Sequence, residues 1–374
     1  MAVALRRMAV NVVGLGLFAV LLLIVIIGVA DLLHDYTQGG RRWQQGDWMI
    51  HSLSGVVRRG TIGTVTLLLG DVTSINPLAL TIALQIAIFV GLIFVLFLIG
   101  ATVLTHPVQI AALVLPPFYP MMMVSRFDGM IYKEIIAFLA LALLTLGVVR
   151  PHLARWLMPL GVAVLLIGCF AHEALVFFLP VAVFLIHLAG RTRFTDTLIA
   201  VLTAGTLAAL AFALTYSKAD PDAVCAELLI RGLSPILCEG PVSWLDETIA
   251  HAIDVTVHET RLIYLVEFFA VWLLAVLVLG YLLGRGPKQS LFLGFLTLFP
   301  FLPLFLLAFD FGRWFSFGFT SMVFVLLALG GFRRLPGQGA LAVLVVLATS
   351  IITFGSTRGV YFSGLVNRAL ELLS

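Results

Sequence analysis

The sequence predicts an all-α bundle of transmembrane helices, and three observations carry that prediction. Hydrophobic residues make up 61% of the chain and charged residues 11%. Apolar runs of 17 to 28 residues recur from end to end, and about 18 such residues suffice to cross a bilayer. Basic pairs sit in alternate loops, as cytoplasmic retention of Lys and Arg requires. No stretch resembles a soluble domain, so residues 1–374 read as a single polytopic domain.

The elements follow in order. The first span, 8–30, is too long for a signal-peptide core and lacks a clear cleavage site, so it is expected to be retained. Segment 31–76 is a long outer loop with Gly39-Gly40, Trp43 and Trp48. Its amphipathic stretch 48–69 predicts one or two helices along the membrane surface, dipping in at 61–69. Further spans are expected at 77–104, 107–123, 131–149, 154–170, 172–190 and 195–216. Segment 107–123 carries Pro107, Pro116, Pro117 and Pro120, and reads either as a span or as a broken, re-entrant helix. A second long outer loop, 217–260, is expected to be partly helical, and a lid over the site is one use for it. Spans at 261–284, 289–309, 315–332 and 338–356 complete a set of eleven, and 357–374 reads as a short amphipathic helix. Leu365, Leu370 and Leu373 lie on one side of it, Arg368 and Glu371 on the other.

This arrangement puts the N-terminus inside and the C-terminus outside. Arg6/Arg7, Arg150/Arg155, Arg191/Arg193, Arg285/Lys288 and Arg333/Arg334 then all fall on the cytoplasmic side. The opposite face keeps 12 of the 22 Lys and Arg residues, against the expected depletion. Binding an anion there explains the surplus, and pairing with the many acids on that face is the alternative. Cys225 and Cys238 share the second outer loop, where a disulfide persists. Cys169 lies in an apolar span and reads as a small core residue. No Cys/His cluster has zinc-ligand spacing, so no metal site and no cofactor is expected; a divalent ion is not indicated.

Four polar motifs interrupt the apolar chain, all on the outer side. Charge near a bilayer marks functional sites. Arg58-Arg59-Gly60 places guanidinium forks beside permissive backbone; headgroup anchoring is its structural alternative. The run 125–134 holds Arg126, Asp128, Lys133 and Glu134, with Arg126 and Lys133 expected at a diphosphate unless the neighbouring charges only neutralise each other. His172-Glu173 supplies a candidate base or a helix cap. Adjacent helical residues do not share a face, so these two are not expected to pair. In Asp310-Phe311-Gly312-Arg313-Trp314, Asp310 and Arg313 are spaced to share a helix face. Glu267, two turns into its span, must face protein or water.

Taken together, the tryptophan-bearing outer loop ending in RRGxxG, the KE turn, the HE dyad and the DxGRW motif resemble bacterial envelope-polysaccharide proteins. These are similar to Wzy/EpsG-type polymerases and, more distantly, to GT-C membrane glycosyltransferases. The resemblance implies an inner-membrane, multi-pass glycosyltransferase with a periplasmic site. It implies a polyprenyl-(di)phosphate-linked sugar donor, a glycan acceptor, surrounding lipids and envelope-assembly proteins as partners, and no nucleic acid. By their own chemistry, Arg58, Arg59, Arg126, Lys133, Arg313 and Trp314 are the expected substrate-binding residues. Asp47, Asp128, His172, Glu173 and Asp310 are the catalytic candidates. The GT-C acid of the first outer loop would be Asp31, Asp35 or Asp47, yet none stands in a paired-acid motif. A transporter or flippase of a lipid-linked glycan is the rival reading. An acyl- or phosphotransferase and a non-catalytic assembly subunit stand behind it.

Overall fold

The structure is a computed structural model describing residues 2–125, 131–355, 360–361, 364–366, 368 and 370, with side chains from residue 12 onward except at 360. The chain forms an all-α polytopic bundle. In order, the helices are α1 (Ala2–Thr37), α2 (Gln45–Trp48), α3 (Thr61–Thr73), α4 (Pro77–Val103), α5 (Tyr119–Ser125), α6 (Ile135–Val149), α7 (Ala154–Ala171) and α8 (Leu179–Leu188). They continue as α9 (Arg193–Thr215), α10 (Pro221–Ile230), α11 (Ile249–Glu259), α12 (Leu262–Leu282), α13 (Pro287–Leu298), α14 (Leu304–Leu307), α15 (Phe311–Leu329) and α16 (Gln338–Ile351). A two-stranded antiparallel ladder, β1 (Thr353–Phe354) with β2 (Val360–Tyr361), pairs Thr353 with Tyr361.

Among the described residues, six helices are long and apolar enough to cross a membrane: Val12–Thr37, Pro77–Val103, Pro151–Ala171, Arg193–Thr215, Leu262–Leu282 and Phe311–Leu329. Counting the bent pair Pro107–Val114 and Tyr119–Ser125 as one span makes seven of full length, and four shorter apolar helices, Thr61–Thr73, Ile135–Val149, Glu173–Leu188 and Gln338–Ile351, stand beside them, against eleven expected spans. Proline accounts for much of the difference. The pair at 107–125 bends by 65° across the Pro116-Pro117 step. The expected span 289–309 splits into α13, a 3-10 turn Phe299–Phe301 holding Pro300, and α14 after Pro303. The expected span 172–190 begins as a 3-10 turn, Glu173–Phe178, before Pro180 sets the start of α8. Helix α6 is only 15 residues, about 22 Å long. Almost all of its side chains are buried, so neighbouring helices satisfy it where lipid would not.

Helices α6 and α15 form the centre. Tyr119, Phe138, Phe178, Phe301 and Phe317 stack there, with Tyr119–Phe138 ring centroids 4.3 Å apart and Phe178–Phe301 centroids 4.7 Å apart. Edge and tilted contacts of this kind add to the burial of large rings. Helix α1 runs 36 residues, about 54 Å, well past the expected end of the first span. Asp31 and Asp35 therefore lie on a helix and are buried, not displayed in an outer loop. The expected amphipathic C-terminal helix mostly falls outside the described residues. Arg368, assigned to its solvent face, is instead buried and bonds Asp31.

The two long loops pack on each other. The Cys225–Cys238 disulfide is closed and ties α10 to the 3-10 turn Pro235–Cys238. His51 Nε2 lies 3.0 Å from the Val224 carbonyl. A small apolar core of Ile50, Val57, Val224, Val242 and Leu245 joins them. Gly46 lies so close to the Leu237 carbonyl that a Cβ there would stand 3.0 Å from its oxygen. Cys169 is free and buried.

Candidate functional site

The polar motifs meet where four helical segments begin. Arg59-Gly60 precedes α3, Lys133-Glu134 precedes α6, Glu173 opens the 3-10 turn that leads into α8, and Asp310 precedes α15. Helix starts carry partial positive charge and orphan N–H groups, so carboxylates gather there favourably.

The first contact is made by Arg59. Its Nε donates to Glu173 Oε2 at 2.7 Å and its Nη2 donates to Oε1. This bidentate fork is the strongest arrangement available to a carboxylate. A second acid, Asp47, stands 3.9 Å from Arg59 Nη1 and 3.7 Å from Lys133 Nζ. Lys133 is fully buried and donates to the Arg59 carbonyl at 3.1 Å. Burial drags the Arg59 guanidinium towards neutrality, but the Glu173 carboxylate outweighs it and keeps the group charged.

Backbone geometry explains how Arg59 points inward. Its φ is +69°, in the left-handed region that costs a residue with a Cβ about 1 kcal/mol. Gly60 N–H bonds the Val57 carbonyl at 3.2 Å, and a Cβ at Gly60 would meet Ser52 Oγ at 2.4 Å. A Cβ at 60 would also crowd the His51 and Ser52 backbone at 3.1 Å, so the turn favours glycine at 60 and leaves the strain on 59. Strain of this kind concentrates at functional sites.

On the other side, Arg313 bonds both Glu134 and Asp310, the latter at 2.5 Å. The i, i+3 spacing thus brings Asp310 and Arg313 together at the start of α15. Arg313 also stacks on Tyr132, its guanidinium carbon 4.2 Å from the ring centroid, and 5.3 Å from that of Trp314. Trp314 turns its own N–H to the Ala308 carbonyl at 2.9 Å. Tyr119 donates to Glu134 at 3.4 Å.

His172 links the two halves. Its Nε2 is 3.8 Å from Glu134 Oε1 and its Nδ1 is 3.8 Å from Glu173 Oε2. Contrary to expectation, the adjacent His and Glu approach each other. The reason is local: His172 has extended backbone (φ −159°, ψ 117°), so the two residues do not share a helix. His172 Nδ1 accepts the Ala174 N–H at 3.2 Å, which caps the 3-10 turn. The resulting chain runs Asp310, Arg313, Glu134, His172, Glu173, Arg59, Asp47, Lys133.

Arg126 and Asp128 lie outside the described residues. Arg58 borders the cluster but its Nε is buried without a hydrogen-bond partner. Tyr119, Tyr132 and a supporting relay escaped the sequence reading. In that relay, Gln45 Nε2 donates to Asp35 at 3.3 Å and to Gln85 at 3.2 Å. Gln85 and Trp48 both donate to the Ile131 carbonyl, at 3.0 and 3.2 Å. Polar residues inside α4, such as Gln85, were the available signal. Among the described residues no group of three His, Cys, Asp or Glu side chains is placed to hold a metal ion. No protein-family model, curated protein or solved structure matches the chain.

Proposed function

We propose that the protein is a bacterial inner-membrane glycosyltransferase or polymerase that uses a polyprenyl-(di)phosphate-linked sugar at the periplasmic face. The observation that carries this reading is the convergence of the RRG, KE, HE and DxGR motifs on one buried ionic chain. Asp310 is the general base in this proposal. One of its oxygens holds Arg313, while Oδ1 makes no hydrogen bond to a described residue, and the side chain is 24% exposed. Both Glu173 oxygens are taken by Arg59, and His172 Nδ1 is taken by a backbone N–H. Asp310 takes the proton of an acceptor hydroxyl. The acceptor oxygen bonds the anomeric carbon as the bond to the phosphate oxygen breaks, and the (di)phosphate leaves with the electron pair. The helix starts and Arg58 favour the negative charge that develops, while Arg59, Lys133 and Arg313 are held by carboxylates and serve to position them.

The test is transfer from a synthetic polyprenyl-diphosphate sugar in nanodiscs, with and without EDTA. Wild-type turnover that persists in EDTA and vanishes in Asp310→Asn supports the reading; full turnover in Asp310→Asn removes the assigned base. A transport reading has its own support in the bent 107–125 pair and the break at His172, since discontinuous helices build transporter sites. Movement of the intact lipid-linked glycan across proteoliposomes without turnover would favour it.

A further inference from the structure

The cations at this site are not equivalent. Arg59, Lys133 and Arg313 each face a carboxylate. Arg58 holds none of its own: among the described residues its guanidinium makes no hydrogen bond and no close ion pair, its Nε is buried, and the Glu173 carboxylate, already held by Arg59, acts on it only from a longer distance. A buried guanidinium donor left unpaired costs free energy, which a ligand anion would recover.

Its position is fixed by the backbone. The Arg58 N–H bonds the Tyr216 carbonyl at 3.3 Å, just beyond the end of α9. Thr61 donates to the Phe170 carbonyl at 3.2 Å, at the end of α7. The RRG turn is thus stapled across the same ends of two membrane spans. The left-handed turn sends Arg59 to Glu173, while Arg58 remains at the border.

An aromatic ladder runs along the seam between those spans. Phe170 and Phe212 have centroids 6.0 Å apart, and Phe212 and Tyr216 have centroids 4.9 Å apart. Phe170 and Phe212 are half-buried and Tyr216 is 40% exposed. Aromatics at span ends sit at headgroup level, with bilayer on one side and water on the other. An apolar seam ending at an arginine with no hydrogen bond to its guanidinium suits a lipid chain with an anionic head, and the guanidinium fork favours a phosphate there.

We infer that Arg58 and the Phe170–Phe212–Tyr216 ladder form a lateral docking site for an isoprenoid lipid phosphate, Arg58 holding the phosphate and the ladder the first part of the chain. This deepens the proposed function and rests on it for the choice of an isoprenoid over other lipids.

Binding, measured without any sugar acceptor, tests it. Fluorescent farnesyl phosphate is titrated into the full-length protein in detergent micelles. Arg58→Ala is expected to weaken binding at least about tenfold, or about 1.4 kcal/mol. Arg58→Lys should restore it only in part, because the fork is lost. Phe212→Ala should weaken farnesyl phosphate several-fold and leave inorganic phosphate binding unchanged. Arg58→Gln, which keeps most of the bulk, and an unchanged unfolding midpoint guard against a folding artefact. Wild-type affinity in both Arg58→Ala and Arg58→Gln overturns the site. Competition by inorganic phosphate equal to that by unlabelled farnesyl phosphate overturns the role of the ladder. Equal competition by phosphatidylglycerol overturns the isoprenoid assignment. Since no turnover is read, loss of glycosyl transfer with intact docking counts against the proposed reaction and not against the site.

Discussion

Arg59 reaches Glu173, 114 residues away, with a two-pronged hydrogen bond made from a left-handed backbone. One strained residue thereby joins the segment between α2 and α3 to the break between α7 and α8. The contact also fixes the Arg59 carbonyl that receives Lys133. Several parts of the site therefore depend on this pair.

Breaking it from one side should be costly. Both side chains are 24% exposed, so removing one partner should cost less than the roughly 3–5 kcal/mol lost when a fully buried pair leaves its other charge uncompensated. Glu173→Leu and Arg59→Met should each lower the unfolding midpoint in detergent, while Arg59→Met/Glu173→Leu recovers most of the loss. A double-mutant cycle with additive losses would show that the two side chains are not coupled.

Relieving the strain at position 59 gives the opposite sign for the backbone. Arg59→Gly loses the ion pair as Arg59→Ala does, but removes the left-handed penalty of about 1 kcal/mol. The glycine variant should be more stable than the alanine variant by that amount, read as a higher midpoint in chemical denaturation. Equal stability would place residue 59 in an ordinary conformation.

The clamp between the two long loops should be sensitive to acid. His51 is fully buried, and its Nδ1 accepts the Leu53 N–H at 3.2 Å, so the neutral ring donates from Nε2 to Val224. Burial pushes its pKa below the usual histidine range, and the Val224 carbonyl offsets this only in part. The unfolded state therefore binds the proton more readily. Stability is full above the unfolded pKa of roughly 6.5, falls as pH drops below it, and levels off below the folded value. Limited proteolysis of 217–260 should accelerate between neutral pH and pH about 5 in wild type. In His51→Gln that acceleration should be smaller; an identical acid response would assign the effect to another group.

The disulfide should support the same clamp. Closing a loop of 13 positions is worth about 3 kcal/mol in the chain-entropy description. Alkylation followed by mass spectrometry should find Cys225 and Cys238 blocked until reduction, and Cys225→Ser/Cys238→Ser should show faster cleavage within 217–260. Free thiols at both positions in protein isolated without reductant would contradict the closed bridge.

Orientation is tested on exposed positions. In a cysteine-free background, Lys218→Cys should react with a membrane-impermeant maleimide added outside cells, and Arg191→Cys only after permeabilisation. Both side chains are exposed, so access and not burial decides the result. The reverse pattern would turn the ionic chain to the cytoplasm and remove the argument for a periplasmic site.

The sequence by itself determined the fold class, because hydropathy is a local property and a bilayer imposes a length on every apolar run. It marked the polar residues at 58–60, 133–134, 172–173 and 310–313 as candidate site residues, and it put Cys225 and Cys238 in one loop. It did not determine the number of full-length spans. Burial of α6 among other helices lets a 15-residue segment stand where lipid would demand more, and that depends on neighbours distant in the chain. Nor did it determine which charges pair. Arg58 and Arg59 are adjacent and chemically identical, yet a left-handed turn gives one a two-pronged hydrogen bond to Glu173 and leaves the other, among the described residues, with no hydrogen bond to its guanidinium. Only the tertiary structure decided that, because an ion pair across 114 residues is set by where helices begin in space, and no periodicity along the chain encodes it.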